Sequence, residues 1–376
     1  MEGSIRIGNL FGIPIMIHFT FLLIIPLFAW LIGTNIEYSV AFVSDVFHIP
    51  IETSLITLPF MPYILGGIVA ISLFIGVYFH ELAHSLVALR AGIQIESITL
   101  LMIGGVAAME ESEMHPQVEI RMAAAGPLLS CGIGILCIII VFLINAIVTN
   151  TAVAGLLIYC IGYLAIMNII LFFFNLLPAF PMDGGRVLRA YLATKMPLYR
   201  ATAIASVIGK GFAVCFALIG IFFSPFLILI AFFIYIGAGQ ESEATRYNFL
   251  LRDVSTGDIM SKPVMTVSPS EAVTHVIDLM YQTKHLGFPV VDAGHLIGMV
   301  TLTDLSRASS IDREAMQVRD VMSKDCIVLP PFAPVIDALR LMTHHAIGRI
   351  PIIKDENIVG IITRTDIMKV MELKEM

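Results

Sequence analysis

Charge is what this sequence has least of. Only 14% of its 376 residues are Asp, Glu, Lys or Arg, against 58% hydrophobic. That is too little polar material to cover a water-soluble chain of this length, so an integral membrane protein is expected. Lys and Arg are missing from whole stretches: none lies between Arg6 and Arg90, between Arg121 and Arg186, or between Lys210 and Arg246. A basic excess is missing too. The net charge of −7 leaves no electrostatic footprint and argues against nucleic acid as a partner. The five cysteines (131, 137, 160, 215 and 326) show no paired spacing. Four lie in apolar segments and read as small core residues with reduced thiols. No small-residue cleavage site follows the first apolar run, so no cleaved leader is expected.

What is there divides in two. Residues 1–239 hold nearly all the long apolar runs, 240–253 read as a linker where charge returns, and 254–376 alternate like a soluble domain. Six spans are expected, at about 13–33, 62–90, 118–148, 152–177, 200–222 and 224–239. The basic residues cluster in alternate loops. The positive-inside bias therefore puts the N-terminus, loops 2–3 and 4–5 and the C-terminal domain in the cytoplasm, in a multi-pass protein of the cell membrane. Between spans 2 and 3, GIQIESITLLMIGGVAAMEESE (92–113) is rich in β-branched residues and has a Gly104-Gly105 pair. It reads as a small β region at the membrane, which survives there only if packed in protein or lining a wet cavity.

HELAH (80–84) closes the second apolar run. On a helix, positions i and i+4 share a face, so His80 and His84 can each aim one ring nitrogen at a single ion. Glu81, about 100° round the helix, can reach a water there without being a ligand. Such a zinc site needs a third protein ligand. Outside a membrane, HExxH arises by chance. Inside a span each ionisable group costs about 3 kcal/mol at mid-depth unless paired, so three within five residues need a shared partner, and a cation supplies it. One other region offers a polar ligand at membrane depth: NIILFFFNLLPAFPMDGGRVLRA (168–190), broken by Pro178, Pro181, Gly184 and Gly185. Asp183 is its carboxylate.

Together these residues resemble the site-2 protease family of intramembrane zinc metalloproteases. The resemblance covers the membrane half: HELAH, GGVA (104–107), EIRMAAAGPLLS (119–130) and NLLPAFPMDGGR (175–186). It implies cleavage of membrane-spanning protein substrates, with His80, His84 and Asp183 on Zn2+ and Glu81 as base. It also carries Asn175 and Pro181 onto motif positions lining the site. The Asn175 amide could donate to a developing oxyanion or merely tie its helix to a neighbour, and Asn168 reads as structural. A substrate held as an extended strand has its amides open, so Ile103, Gly104, Gly105, Val106 and Ala107 are the expected substrate-pairing edge. Gly126-Pro127 reads as helix packing and a helix start. His18 reads as an interfacial hydrogen bond or a contact behind the site, and His115 as a solvated loop residue.

The soluble half repeats with a 62-residue offset. Asp258-Ile-Met-Ser-Lys262 matches Asp320-Val-Met-Ser-Lys324, and Gly298-Met-Val-Thr301-Leu-Thr-Asp304 matches Gly360-Ile-Ile-Thr363-Arg-Thr-Asp366. Each unit (about 254–310 and 316–374) reads as helix, strand, strand, helix, an α/β pattern. It resembles a tandem CBS (cystathionine-β-synthase-type) pair, a module that commonly binds adenine nucleotides. By that resemblance Thr301 and Thr363 would meet phosphate and Asp304 and Asp366 ribose, with ATP, ADP or AMP as ligand. The same aspartates are also good helix N-caps in an empty fold. Arg349, Arg364 and His345 are weaker phosphate candidates, and CBS pairs often dimerise.

The expected protein is thus a membrane α-helical metalloprotease with a cytoplasmic CBS pair. A transporter would show paired repeats among its spans and charges along a path, and neither is present. A scaffold has no use for an intact HExxH and Asp183. A prenyl-type metalloprotease would recruit a Glu as third ligand and lacks the Asp-Gly-Gly match.

Overall fold

The computed structural model describes residues 3–101, 104–109, 114–307 and 315–375. It divides into two compact units, Met1–Ser242 and Glu243–Met376. The first unit opens with β1 (Ser4–Leu10) and β2 (Ile13–His18), an antiparallel hairpin turning at Phe11-Gly12. β2 then pairs in parallel with β3 (Ile95–Leu101), and β3 pairs antiparallel with β4 (Gly104–Met109). The order β1-β2-β3-β4 leaves β4 at an edge. The expected β region is therefore twice as large as 92–113 alone. The expected first span at 13–33 needs correction, because Ile13–His18 is a strand. Its apolar residues continue into the following helix without a charge, so composition alone does not mark the join.

That helix is α1 (Phe19–Thr34), which bends by 78° at Asn35 into α2 (Ile36–Phe47). Five further helices are long and apolar enough to cross a membrane: α3 (Met61–Arg90), α4 (Pro116–Ile147), α5 (Thr151–Asn175), α7 (Leu198–Phe223) and α8 (Pro225–Leu251). The bent pair makes a sixth span if counted as one. Between α5 and α7 lies the short α6 (Asp183–Ala193). α8 runs on through most of the expected linker, so 240–251 is helix. α4 begins at Pro116, capped by His115, whose Nδ1 accepts from Gln117 N. Pro127 lies inside α4 and does not start it. His18 is likewise a cap, its Nδ1 2.8 Å from Thr20 Oγ1 at the head of α1. The core sits where α2 to α5 meet, around Val43, Ile56, Val141, Tyr159 and Ala165, all fully buried.

The second unit contains α9 (Thr256–Ile259), α10 (Val273–Thr283), β5 (Gly287–Asp292), β6 (His295–Thr301) and α11 (Leu302–Arg307). Its second repeat contains α12 (Val318–Val321), α13 (Val335–His344), β7 (Arg349–Lys354), β8 (Asn357–Thr363) and α14 (Arg364–Glu375). The helix, strand, strand, helix order appears in both halves. Each hairpin also takes a single bridge from the other repeat, Met299 with Ser323 and Ser261 with Ile361. Packing is reciprocal. A Cβ on Gly298 would come 2.8 Å from Met322 Sδ, and one on Gly360 would come 2.9 Å from Met260 Cβ.

Candidate metal centre

α3 brings His80 and His84 onto one face, buried at 4% and 6% exposure, with ring centroids 4.8 Å apart. Asp183 reaches them from the first turn of α6. Its Oδ2 lies 3.1 Å from His80 Nε2 and 3.2 Å from His84 Nε2. Gly184 and Gly185 do not break a helix here. They form the first turn of α6 and press against the backbone of Leu176 and Ala179, where a Cβ would not fit. The loop after α5 can thus fold tightly enough to present Asp183.

The donor set fits a divalent cation. Three nitrogen and oxygen donors lie within 4.8 Å of one another, the sole such group of His, Cys, Asp or Glu among the described residues. Ligands at about 2.0–2.1 Å around a tetrahedral zinc stand roughly 3.3 Å apart, close to the two His–Asp183 spacings. The far sides of the rings are also engaged. His84 Nδ1 donates to the carbonyl of Met122 at 2.6 Å, and His80 Nδ1 lies 2.9 Å from Ser130 Oγ. A carbonyl can only accept, so Nδ1 of His84 carries a proton, and in the neutral ring Nε2 then keeps a free lone pair. Gly126 completes the cradle. A Cβ there would come 2.7 Å from His80 Nε2 and closer still to His84 Nε2, in the space an ion needs.

The Glu81 side chain, one residue on from His80, rests on Gly105 of β4. Comparison with known proteins agrees with this geometry. The sequence profile of Peptidase family M50 matches residues 68–154 and 143–218, and that of the CBS domain matches 256–311 and 318–373. A zinc metalloprotease of Methanocaldococcus jannaschii is 33% identical over 378 residues, covering 100% of this chain and 98% of that one. This chain belongs to peptidase family M50.

Rip3 of Mycobacterium tuberculosis, named as a candidate zinc metalloprotease, is 27% identical to this M50 peptidase over 396 residues, covering 99% of this chain and 94% of that one. Among solved structures, the site-2 protease from Methanocaldococcus jannaschii is 38% identical, over 64% of this chain and 95% of that one, with a TM-score of 0.42. The protein is a metalloendopeptidase of the site-2 protease type, with a CBS pair attached.

Other expected site residues of this M50 peptidase have partners of their own. Asn175 Nδ2 donates to Leu171 O, one turn back in its own helix, at 3.0 Å. Asn168 is fully buried, its Nδ2 on Leu164 O and its Oδ1 facing Gly76, with no hydrogen-bond partner among the described residues. Pro181 packs toward α8, where a Cβ on Gly237 would come 2.9 Å from its Cδ. Gly104, Gly105, Val106 and Ala107 all lie in β4, while Ile103 falls outside the described residues.

In the CBS pair, Thr301 donates through Oγ1 (2.6 Å) and N (2.9 Å) to Asp304 Oδ2, and Thr363 does the same to Asp366. The second carboxylate oxygens face Ser323 Oγ at 3.5 Å and Ser261 Oγ at 3.4 Å. Arg349 donates to Gly287 O at 2.6 Å, and burial pulls its guanidinium pKa down. Arg364 donates to Met342 O at 2.7 Å. His345 ends α13, its ring beside that of His344.

Sequence reasoning missed Ser130, the Met122 carbonyl and the bearing of Gly126 on the site, which it read as packing. It also missed a buried ion network. Arg189 of α6 binds Glu119 of α4 and Glu241 of α8, with its guanidinium 5.3 Å from the Phe180 ring. The signal available for the first group was spacing: Met122, Gly126 and Ser130 recur every four residues, as do the histidines they face.

Proposed function

We propose that this M50 peptidase hydrolyses peptide bonds of transmembrane protein substrates at a zinc ion held by His80, His84 and Asp183. The observation that carries this reading is the convergence of three donors from two distant segments, with Glu81 beside them and against a sheet edge. Zinc, when bound, polarises the scissile carbonyl and lowers the pKa of water. The chain's own residues supply the remainder. Glu81 takes the proton of the attacking water and returns it to the leaving amine nitrogen.

The free edge of β4 holds the substrate as an added strand, main chain to main chain, so that its amides leave their helical hydrogen bonds. Gly104 to Ala107 form that edge, and Gly105 brings it into contact with Glu81. Asn175 donates to the oxyanion once its amide leaves Leu171 O, and Pro181 borders the substrate channel. The positive-inside bias of the basic loops supports a cytoplasmic side for the N-terminus and the CBS pair. There the pair binds an adenine nucleotide, ATP, ADP or AMP, at Thr301, Asp304, Thr363 and Asp366, modulates cleavage, and joins two copies into a dimer. Two features support the nucleotide reading: the repeat of this four-residue turn, and the one oxygen of each Asp left outside it.

The test uses the full chain in liposomes with a reconstituted single-span substrate. Chelation is expected to abolish cleavage and zinc to restore it. Glu81→Gln is expected to keep its metal and lose cleavage, and Asp183→Ala to lose both. Wild-type cleavage by Glu81→Gln, or cleavage that survives complete metal removal, overturns the reading.

A further inference from the structure

Met122, Gly126 and Ser130 lie four residues apart along one face of α4. Across from them, His80 and His84 lie four apart on α3. The Met122 carbonyl meets His84 Nδ1, Ser130 Oγ meets His80 Nδ1, and Gly126 faces both Nε2 atoms. Ser130 is fully buried, and His80 is its hydrogen-bond partner.

The two histidines are therefore held differently. A carbonyl accepts and nothing else, so the neutral His84 ring is fixed as the tautomer with Nε2 bare. A hydroxyl can rotate to accept or to donate. With Ser130 accepting, His80 carries its proton on Nδ1 and presents a bare Nε2. With Ser130 donating, the proton moves to Nε2, which then points at Asp183 Oδ2, and His80 is no longer a ligand.

We infer that Ser130 is a positioning residue for the metal: by accepting the Nδ1 proton of His80 it sets that ring's tautomer and rotation for coordination. His84 is preset, and His80 is the ligand whose readiness depends on a side chain. Removing the hydroxyl leaves a buried N–H without an acceptor, a cost that falls on the tautomer that binds metal. Loss of such an outer partner typically weakens metal affinity about 10–100-fold.

This inference rests on the metal reading above, and the experiment separates the two. Zinc affinity is measured on the full chain in detergent by competition with a chromophoric chelator, for wild type, Ser130→Ala and Ser130→Thr. Ser130→Ala is expected to bind about 10–100-fold more weakly, and Ser130→Thr to stay near wild type because it keeps the hydroxyl. Cleavage by Ser130→Ala is expected to recover as zinc is raised, which a packing defect would not do. The visible spectrum of the cobalt-loaded variant is expected to change as the His80 arm loosens. Equal zinc affinity in wild type and Ser130→Ala overturns the inference. So does a loss that Ser130→Thr shares in full. If wild type itself binds no zinc, it is the metal reading that fails.

Discussion

Gly105 lies directly on the side chain of Glu81. A Cβ at 105 would come 3.2 Å from Glu81 Cδ and closer still to its Cγ. The absence of a side chain lets the edge strand and the Glu81 side chain share one place.

Gly105→Val is therefore expected to displace Glu81 or β4 and to lower cleavage by at least about 10²-fold, the low end of a general base's contribution. Metal content should stay at the wild-type level, because the side chain nearest to residue 105 is Glu81, which is not one of the three donors. Metal analysis alongside a cleavage assay checks both halves.

Gly126→Ala should act through the metal instead. Its new Cβ intrudes on both Nε2 atoms, so metal binding is expected to weaken by at least about tenfold, and cleavage with it. Titration with a chelator, on protein shown to remain monodisperse, measures the loss.

Arg189 is a buried cation between two carboxylates, with Glu119 5% exposed. Arg189→Met leaves Glu119 buried without its partner and is expected to cost about 3–5 kcal/mol of stability. Removing both charges, as Arg189→Met with Glu119→Gln, should cost less than the single change. Thermal unfolding in detergent compares them. Because Arg189 lies in the same short helix as Asp183, the single variant should also bind metal less tightly.

Asp258 of α9 accepts from Ser255 Oγ at 2.6 Å and Ser255 N at 2.9 Å, which holds its carboxyl below the usual carboxylate range. A lowered folded-state pKa means that the charged form is favoured by folding. The stabilisation is complete above the unfolded value, about 3.9, and disappears as pH falls through the lower folded value. Asp258→Ala is expected to speed amide exchange in α9 at pH 7. The gap between variant and wild type should close at pH values well below about 4.

The chemistry of the site was legible in the sequence because its parts are local. HELAH sets two histidines on one helical face, and Asp183 stands out as a carboxylate in an apolar, Pro-broken stretch. The 62-residue offset exposed the CBS repeat because whole motifs recur. The N-terminal strands were hidden, since Ile13–His18 continues into the apolar α1 and a hydrophobic run carries no mark where its period changes. Ser130 and the Arg189 network were hidden for another reason. Their partners lie 50 to 70 residues away, and only packing brings them together.

The exchange of methionines between the CBS repeats has a developmental cost for the chain. Met322 fills the notch at Gly298, and Met260 fills the one at Gly360, so each half carries the other's missing piece. A ribosome that has released only the first repeat has produced an unfinished object, with an open slot and a dangling thioether. The slot at Gly298 then waits on the emergence of Met322, and the Met260 thioether waits longer, until Gly360 arrives to receive it.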